Sequence, residues 1–328
     1  MKKTLAAVAL AAVAALTLSG CTDSAAPATS PSGDSTAGSG EMRQVRVAAL
    51  PIAETGALWA AIDAGIFEDH GLDVEVVPAQ GGAQAIPALL SGDIDFAIGQ
   101  PMGPIRAALQ DLGVVIFSNY ASSLADGEDV NSVVALGNSG ITSPADLAGK
   151  RVSVNSIGAA GDLTIRKAVD DAGGDSSTIQ FVEVAFPDVK AQLEAGNIDA
   201  GWVPDPFRGL IVSGGGVDVV SPYQATIPGL TVLTNFTTQE KIDADPQLVA
   251  DYAAAMAEAQ QYATDNEDAV RAAIVKKLEI PEAAAASITL PNFTSDLDDA
   301  GIEKLAALAV QYKYIDAEPD FTKLIQPQ

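Results

Sequence analysis

The sequence predicts an α/β protein made of two similar units facing each other across a cleft. One observation is an internal repeat. Leu89 to Pro101, L-L-S-G-D-I-D-F-A-I-G-Q-P, and Leu193 to Phe207, L-E-A-G-N-I-D-A-G-W-V-P-D-P-F, share Leu-x-x-Gly-[Asp/Asn]-Ile-Asp-x-[Ala/Gly] and both run into proline. Gly92 and Gly196 stand 104 positions apart, and the same offset aligns Val47–Pro51 with Arg151–Asn155. The other observation is alternation: each copy reads strand, small-residue loop, helix, strand, loop, helix, turn, strand, the pattern of open α/β sheets.

The N-terminus reads separately from these units. Met1-Lys2-Lys3 is basic, and Leu5 to Leu18 is apolar but too short for a membrane span. Leu18-Ser19-Gly20-Cys21 follows and resembles the lipobox of bacterial lipoproteins, whose cysteine is acylated and becomes the mature N-terminus. Cys21 is the one cysteine, so an intramolecular disulfide is excluded. Thr22 to Gly40 is a Ser/Thr/Ala/Pro/Gly tether with no capacity for a core and a reach of roughly 25 Å. The expected organisation is a leader over 1–21, a tether over 22–42, one lobe from 43–133 and 230–328, and a second from 134–229.

A length of 328 residues suits about two domains, and 48% hydrophobic content can fill two cores. The formal charge is −25; once Lys2 and Lys3 leave with the leader, 16 basic residues face 43 acidic ones, a net of −27. Nucleic acid and anionic lipid both require basic patches, so neither is an expected partner.

Within the first lobe, Val45 to Leu50 reads as a strand, Ala57 to Ala64 as a helix closed by Gly65, and Val74 to Val77 as a strand. Ala85 to Leu90 and Ile105 to Leu109 read as helices, and Val114 to Phe117 as a strand. His70, the one histidine, precedes Gly71 at a helix end and has no second histidine or cysteine with which to build a metal or nucleophile site. Val130 to Leu136 crosses into the second lobe. There Ser143-Pro144 opens a capped turn, Lys150 to Val154 is a strand, and Leu163 to Ala172 a helix. Thr178 to Val184 and Ile198 to Val203 are strands, the second stopped by Pro204 and Pro206. A return crossing near Ile227 to Leu233 leads to a helical C-terminal third: Pro246 to about Ala263, another capped by Asn266 or Asp265 and ending near Leu278, and a helix through Tyr312 opened by Ser295 and Asp298. These helices are expected to pack on the first lobe.

Three small-residue loops recur at strand-to-helix junctions: Glu54-Thr55-Gly56, Gly81-Gly82-Ala83-Gln84 and Ser156 to Gly161. Helix N-termini there offer free N–H groups to a polar or anionic ligand. The Lys-[Ser/Thr] of a P-loop is absent after Gly161, and no dinucleotide fingerprint occurs. Trp202 and Phe207 offer either an apolar pocket wall or core packing. Asp162 and Asp188 suit either helix capping or ligand contact. One histidine in a turn excludes a Ser-His-Asp set, and nothing singles out a hydrolytic carboxylate pair.

Taken together, the lipobox leader, "VRVAALPIAETGALWAAIDAGIFEDHGLDVEVVP", "GGAQAIPALLSGDIDFAIGQP", "SPADLAGKRVSVNSIGAAGDLTIRKAV" and "AFPDVKAQLEAGNIDAGWVPDPF" resemble the ABC-transporter solute-binding proteins that bind aliphatic sulfonates, nitrate and taurine. That family also contains binders of thiamine precursors and pyrimidines. The resemblance runs from Val45 to the C-terminus. It implies a type II, Venus-flytrap periplasmic-binding fold, hinged between two open α/β sheets. It further implies a monomer that closes on a small-molecule solute and presents it to an ABC permease with its cytoplasmic ATPase. The protein would then be lipid-anchored at Cys21 on the extracytoplasmic face of the cell membrane, without catalysis or cofactor. The family's ligand positions fall on Glu54, Thr55, Gly56, Gly82, Gln84, Gln100, Asn155, Ser156, Gly158, Ala160, Asp188, Trp202 and Asp205. Where family members often carry Glu-Pro, this chain has Asp205-Pro206. The implied cargo is a sulfonate, nitrate, taurine or related organic anion. No arginine lies in these loops, so backbone donors and hydroxyls would hold such an anion. The alternative cargo is a pyrimidine, thiamine precursor or aromatic carboxylate. A related enzyme makes a thiamine pyrimidine from its own histidine and pyridoxal phosphate, but its cysteine-rich iron-binding motif is missing here. A pyrimidine-synthase-like enzyme and a non-transport sensor or adhesin lipoprotein are the remaining alternatives.

Overall fold

The structure, a computed structural model, describes residues 42–326; the leader, Cys21 and the tether up to residue 41 lie outside the described residues. The chain enters through β1 (Arg43–Ala49), α1 (Gly56–Ala64), α2 (Ile66–Asp69), β2 (Leu72–Pro78), α3 (Gly82–Ser91), β3 (Phe96–Gly99), α4 (Met102–Leu109) and β4 (Val114–Ser122). It crosses to β5 (Asn131–Leu136), β6 (Arg151–Val154), α5 (Ala160–Asp171), β7 (Gln180–Glu183), α6 (Val189–Glu194), β8 (Ala200–Pro204), α7 (Phe207–Ser213), β9 (Gly216–Val220) and α8 (Pro222–Thr226). It returns through β10 (Thr231–Thr238), α9 (Gln239–Ala244), α10 (Pro246–Asp265), α11 (Glu267–Leu278), α12 (Glu282–Ala286), β11 (Asn292–Phe293), α13 (Asp299–Gln311) and α14 (Phe321–Leu324).

These strands form two sheets. One has six strands in the order β11-β4-β10-β3-β1-β2, the other five in the order β7-β6-β8-β5-β9. In each, the strands of the internal repeat run parallel, and one antiparallel strand lies fourth from the far edge: β10 between β3 and β4, β5 between β8 and β9. Both inserted strands are the ones made by the chain as it passes between sheets. The repeat is therefore architectural: β3 and β8 are the same strand of two copies. The glycines that precede them, Gly92 and Gly196, take φ of 76° and 68°, the left-handed backbone that glycine adopts without a Cβ penalty.

The central strands are buried on both faces: all nine residues of β4 and all five of β8 are buried. On α10 the buried positions Leu248, Val249, Tyr252, Ala255, Met256, Ala259 and Ala263 recur at helical spacing. Its Tyr252 ring stacks on Phe96 at 3.9 Å, with Phe67 and Phe117 alongside. Gln260, buried on the same stripe, presents its amide nitrogen to the carbonyls of Asn119 and Tyr120, where the β4–β10 register shifts, and of Thr294 just after β11.

Several sequence expectations need correction. β4 runs on to Ser122 rather than ending at Phe117, since its polar tail pairs with β10 and β11. Ser295 does not open the helix through Tyr312: α13 starts at Asp299 with Asp298 at the cap position, and the Ser295 carbonyl accepts from Asn119 instead. Nor do all C-terminal helices pack on the first sheet, because α13 lies against α5. His70 ends α2, with Nε2 2.9 Å from Glu258 Oε2. Among the described residues no helix is long and apolar enough to cross a membrane.

A candidate solute cleft

The carboxyl ends of the two sheets meet, and their loops bond directly to one another. Asn155, after β6, donates from Nδ2 to the Gln80 carbonyl after β2 at 2.8 Å. The Ala160 N–H, first in α5, donates to Gln100 Oε1 after β3 at 3.2 Å. Deeper in, the Ala53 N–H after β1 donates to the Asp205 carbonyl after β8 at 3.1 Å. A cavity of about 260 Å³ opens between Leu50, Pro51 and Ile52 on one side and Asn155, Phe186 and Phe207 on the other.

Trp202 is packed in the core beside these loops rather than lining the 260 Å³ cavity. It is 3% exposed, its Nε1 donates to Asn131 Oδ1 at 3.0 Å, and its ring meets Phe186 and Tyr223 edge-on at 5.6 Å each. Gly161 lies against the indole face: a Cβ there would sit 3.0 Å from Trp202 Cε3, so only glycine lets α5 begin on the ring. Phe207 stacks on Phe186 and lines the 260 Å³ cavity.

Glu54 is the chemically unusual member. It sits on the 3-10 turn Ala53–Thr55, is 5% exposed, and its Oε2 has no hydrogen-bond partner. Burial pushes its carboxyl well above the ordinary glutamate range, and the charges of Asp205 and Asp129 push it further. Asp205 is raised too, chiefly by burial, although Gly209 donates to its Oδ1 at 3.0 Å and Arg208 stands 3.8 Å from its Oδ2.

The other expected contact residues sort by what holds them. Thr55 Oγ1 lies 2.5 Å and 2.7 Å from the Leu50 and Ile52 carbonyls, which ties it to its own turn. Gly56 lets α1 approach α11, since a Cβ would lie 2.7 Å from Val270. Gly82 places α3 against the end of β3, with a would-be Cβ 3.1 Å from the Gln100 nitrogen. Gln84, Gln100, Asn155, Ser156 and Gly158 gather at one rim, where the Asn155 Oδ1 is buried without a partner. Asp162 caps α5, accepting from the Gly158 and Ala159 N–H groups at 2.8 Å each. Asp188 is exposed and its side chain caps nothing.

Sequence reading passed over four residues here. Arg106, on α4, packs its guanidinium against Gly158, where a Cβ would lie 2.5 Å from Nη2. Tyr223, on α8, buries a hydroxyl with no partner beside Trp202. Asn131 orients Trp202 from β5. Tyr314 reaches back to α5: its hydroxyl donates to Asp162 Oδ2 at 2.7 Å and accepts from Arg166 Nε at 3.0 Å, while its carbonyl accepts from Arg106 at 3.4 Å. None of the four lies in a repeat or a glycine loop, the two signals the sequence offered.

Known proteins share this arrangement. The formylaminopyrimidine-binding protein of Halalkalibacterium halodurans is 25% identical over 214 residues, covering 64% of this chain. The match spans 63% of that protein's length. Among solved structures, the alkanesulfonate-binding protein SsuA of Xanthomonas axonopodis pv. citri, bound to MOPS, superposes with TM-score 0.72 at 16% identity, covering 88% of this chain and 99% of its own. The desulfurization enzyme DSZB superposes with TM-score 0.67 at 16% identity, covering 87% and 97%. The fold is thus the periplasmic-binding fold, one that serves binders and at least one enzyme. Because the profile described as NMT1/THI5 like matches residues 53–270, well over half of its length, this chain belongs to the NMT1/THI5-like family.

Proposed function

We propose that this chain is the solute-binding component of an ABC importer, capturing one small organic molecule between its lobes and delivering it to a permease with a cytoplasmic ATPase. The observation that carries the reading is the meeting of loops from both sheets, with hydrogen bonds Asn155–Gln80 and Ala160–Gln100 spanning the cleft. Such bonds form only when the lobes approach, so they tie capture to closure. The lobes span 43–133 with 230–328, and 134–229, and the pairing of the Ser123 N–H with the Leu230 carbonyl at 2.8 Å supports a hinge where the two crossings touch. The chain acts as a monomer, without catalysis, held at the membrane surface through Cys21. Glu54, Gln84, Gln100, Asn155, Ser156, Gly158, Ala160 and Trp202 would meet the solute. Thr55, Gly56, Gly82, Asp188 and Asp205 shape or flank the cleft.

The cargo is a sulfonate, nitrate, taurine or related organic anion, as the sulfonate-binding neighbours suggest. The formylaminopyrimidine-binding relative favours a second reading, a pyrimidine-type solute. A thermal-shift screen of alkanesulfonates, taurine, nitrate, aromatic carboxylates and pyrimidines tests both, since a solute bound only by the native state raises the melting temperature. One class should shift it, and Trp202→Ala should abolish the shift. Silence across every class would overturn the importer reading.

A further inference from the structure

Beside the segment that follows α13 lies a second, open cavity of about 740 Å³, which shares no lining residue with the 260 Å³ cavity. Three cations reach it: Arg106 from α4, Arg166 from α5 and Lys313 from the turn after α13. Without Lys2 and Lys3 the chain has 16 lysines and arginines, and nine of them stand within 4.0 Å of a carboxylate. Of the seven that do not, three line this one cavity. The carboxylates on its wall are already engaged. Asp162 accepts from the Gly158 and Ala159 N–H groups and the Tyr314 hydroxyl. Asp170 accepts from the N–H and hydroxyl of Ser176 and from the Tyr312 hydroxyl, and Asp175 from the N–H and hydroxyl of Ser177. The cations keep donors to spare. Arg106 has one bond, from Nη2 to the Tyr314 carbonyl at 3.4 Å. Arg166 gives Nε to the Tyr314 hydroxyl and Nη1 to the Ser176 carbonyl, with its guanidinium 4.9 Å from the Phe181 ring centroid. Its Nη2 has no partner among the described residues. Lys313 is exposed at φ 61°, a backbone that few non-glycine residues adopt, between two tyrosines whose hydroxyls are bonded to α5.

We propose that this cavity is a second binding site, separate from the solute cleft, for a small polyvalent oxyanion of the phosphate or tricarboxylate kind, held by Arg106, Arg166 and Lys313. A guanidinium offers paired N–H donors that match two oxygens of a phosphate or carboxylate. Two guanidinium groups and an ammonium call for more than one negative charge. The three carboxylates of the wall balance the three cations in number, so the site draws its ion by directed N–H donors and not by net charge. A spherical chloride cannot use that geometry. Arg106 comes from the helix after β3 and Arg166 from the helix after β6, so a bound oxyanion joins helices of the two sheets and favours their approach. That consequence rests on the solute-binding reading; the site itself stands without it.

Titration calorimetry of the full chain with inorganic phosphate and with citrate, at an ionic strength matched by sodium chloride, tests this. One ion should bind per chain, with acetate inert. Arg106→Gln should weaken that binding about tenfold, and the more exposed Lys313→Gln about threefold. Lys304→Gln, exposed on α13 and outside the cavity, should leave it unchanged and controls for net charge. Lys313 lies on the surface, so its variant reads the site even if Arg106→Gln folds poorly. Equal weakening by Lys304→Gln and Lys313→Gln would reduce the effect to charge screening and overturn the site. Binding that ignores Arg106→Gln and Lys313→Gln but vanishes in Asn155→Ala belongs to the solute cleft; it overturns the second site and leaves solute capture intact. Absence of saturable binding by either ion overturns the second site as well.

Discussion

At Trp202 the indole nitrogen is committed to Asn131 while the ring packs between Phe186, Tyr223 and the start of α5. Trp202→Phe leaves Asn131 Oδ1 buried without its donor and should cost about 1–3 kcal/mol. Trp202→Ala adds a cavity and should cost about 3–5 kcal/mol; urea unfolding measures both. Glu54 gives the opposite kind of prediction. Its folded-state carboxyl lies above the ordinary range, chiefly through burial, so the unfolded chain ionises first as pH rises. Its contribution is fully present below the ordinary glutamate pKa and is lost as pH climbs through the raised folded value. Glu54→Gln should flatten that decline in a melting-temperature series without solute, and an unchanged slope would show that Glu54 is not its source. Trp202 and Glu54 were legible because each adjoins a repeat motif or a small-residue loop. Tyr223 and Arg106 were not: each sits on an ordinary helix, and only the tertiary fold brings it to the cleft.

Among the elements, the junction of β3 with α3 positions one whole rim. Gly99 and Gly82 touch backbone to backbone, so a Cβ on Gly99 would overlap Gly82 with no flexible side chain to yield. Gly92, by contrast, has φ of 76° and open space around it. Gly92→Ala should therefore cost only the left-handed strain, about 1–2 kcal/mol, and Gly99→Ala distinctly more; paired thermal melts compare them. Equal losses would show that the close approach of α3 carries no special weight. Strand and helix positions were legible from periodicity and turn glycines. Their ends were not, where a distant partner sets them: β4 extends because β10 and β11 pair with its polar tail, and α13 begins late because Ser295 serves β4.

For the whole molecule, the repeat at 104 residues foretold two related sheets, and the shared strand order bears it out. What the repeat could not reveal is the strap made after α13, where Tyr312 bonds Asp170 at 2.6 Å and Tyr314 bonds Asp162. Those partners lie 142 and 152 residues away, beyond any local pattern. Tyr314→Phe removes the bond that ties the segment after α13 to the start of α5 and should loosen the closed form, raising the radius of gyration in small-angle scattering without unfolding the chain. The most direct test of solute capture is the same scattering measurement on the unaltered protein, with and without the solute that shifts its melting. Compaction on binding, lost in a chain carrying Asn155→Ala and Gln100→Ala, is the predicted result. Binding with no change in dimensions, indifferent to those two substitutions, would contradict capture between the lobes.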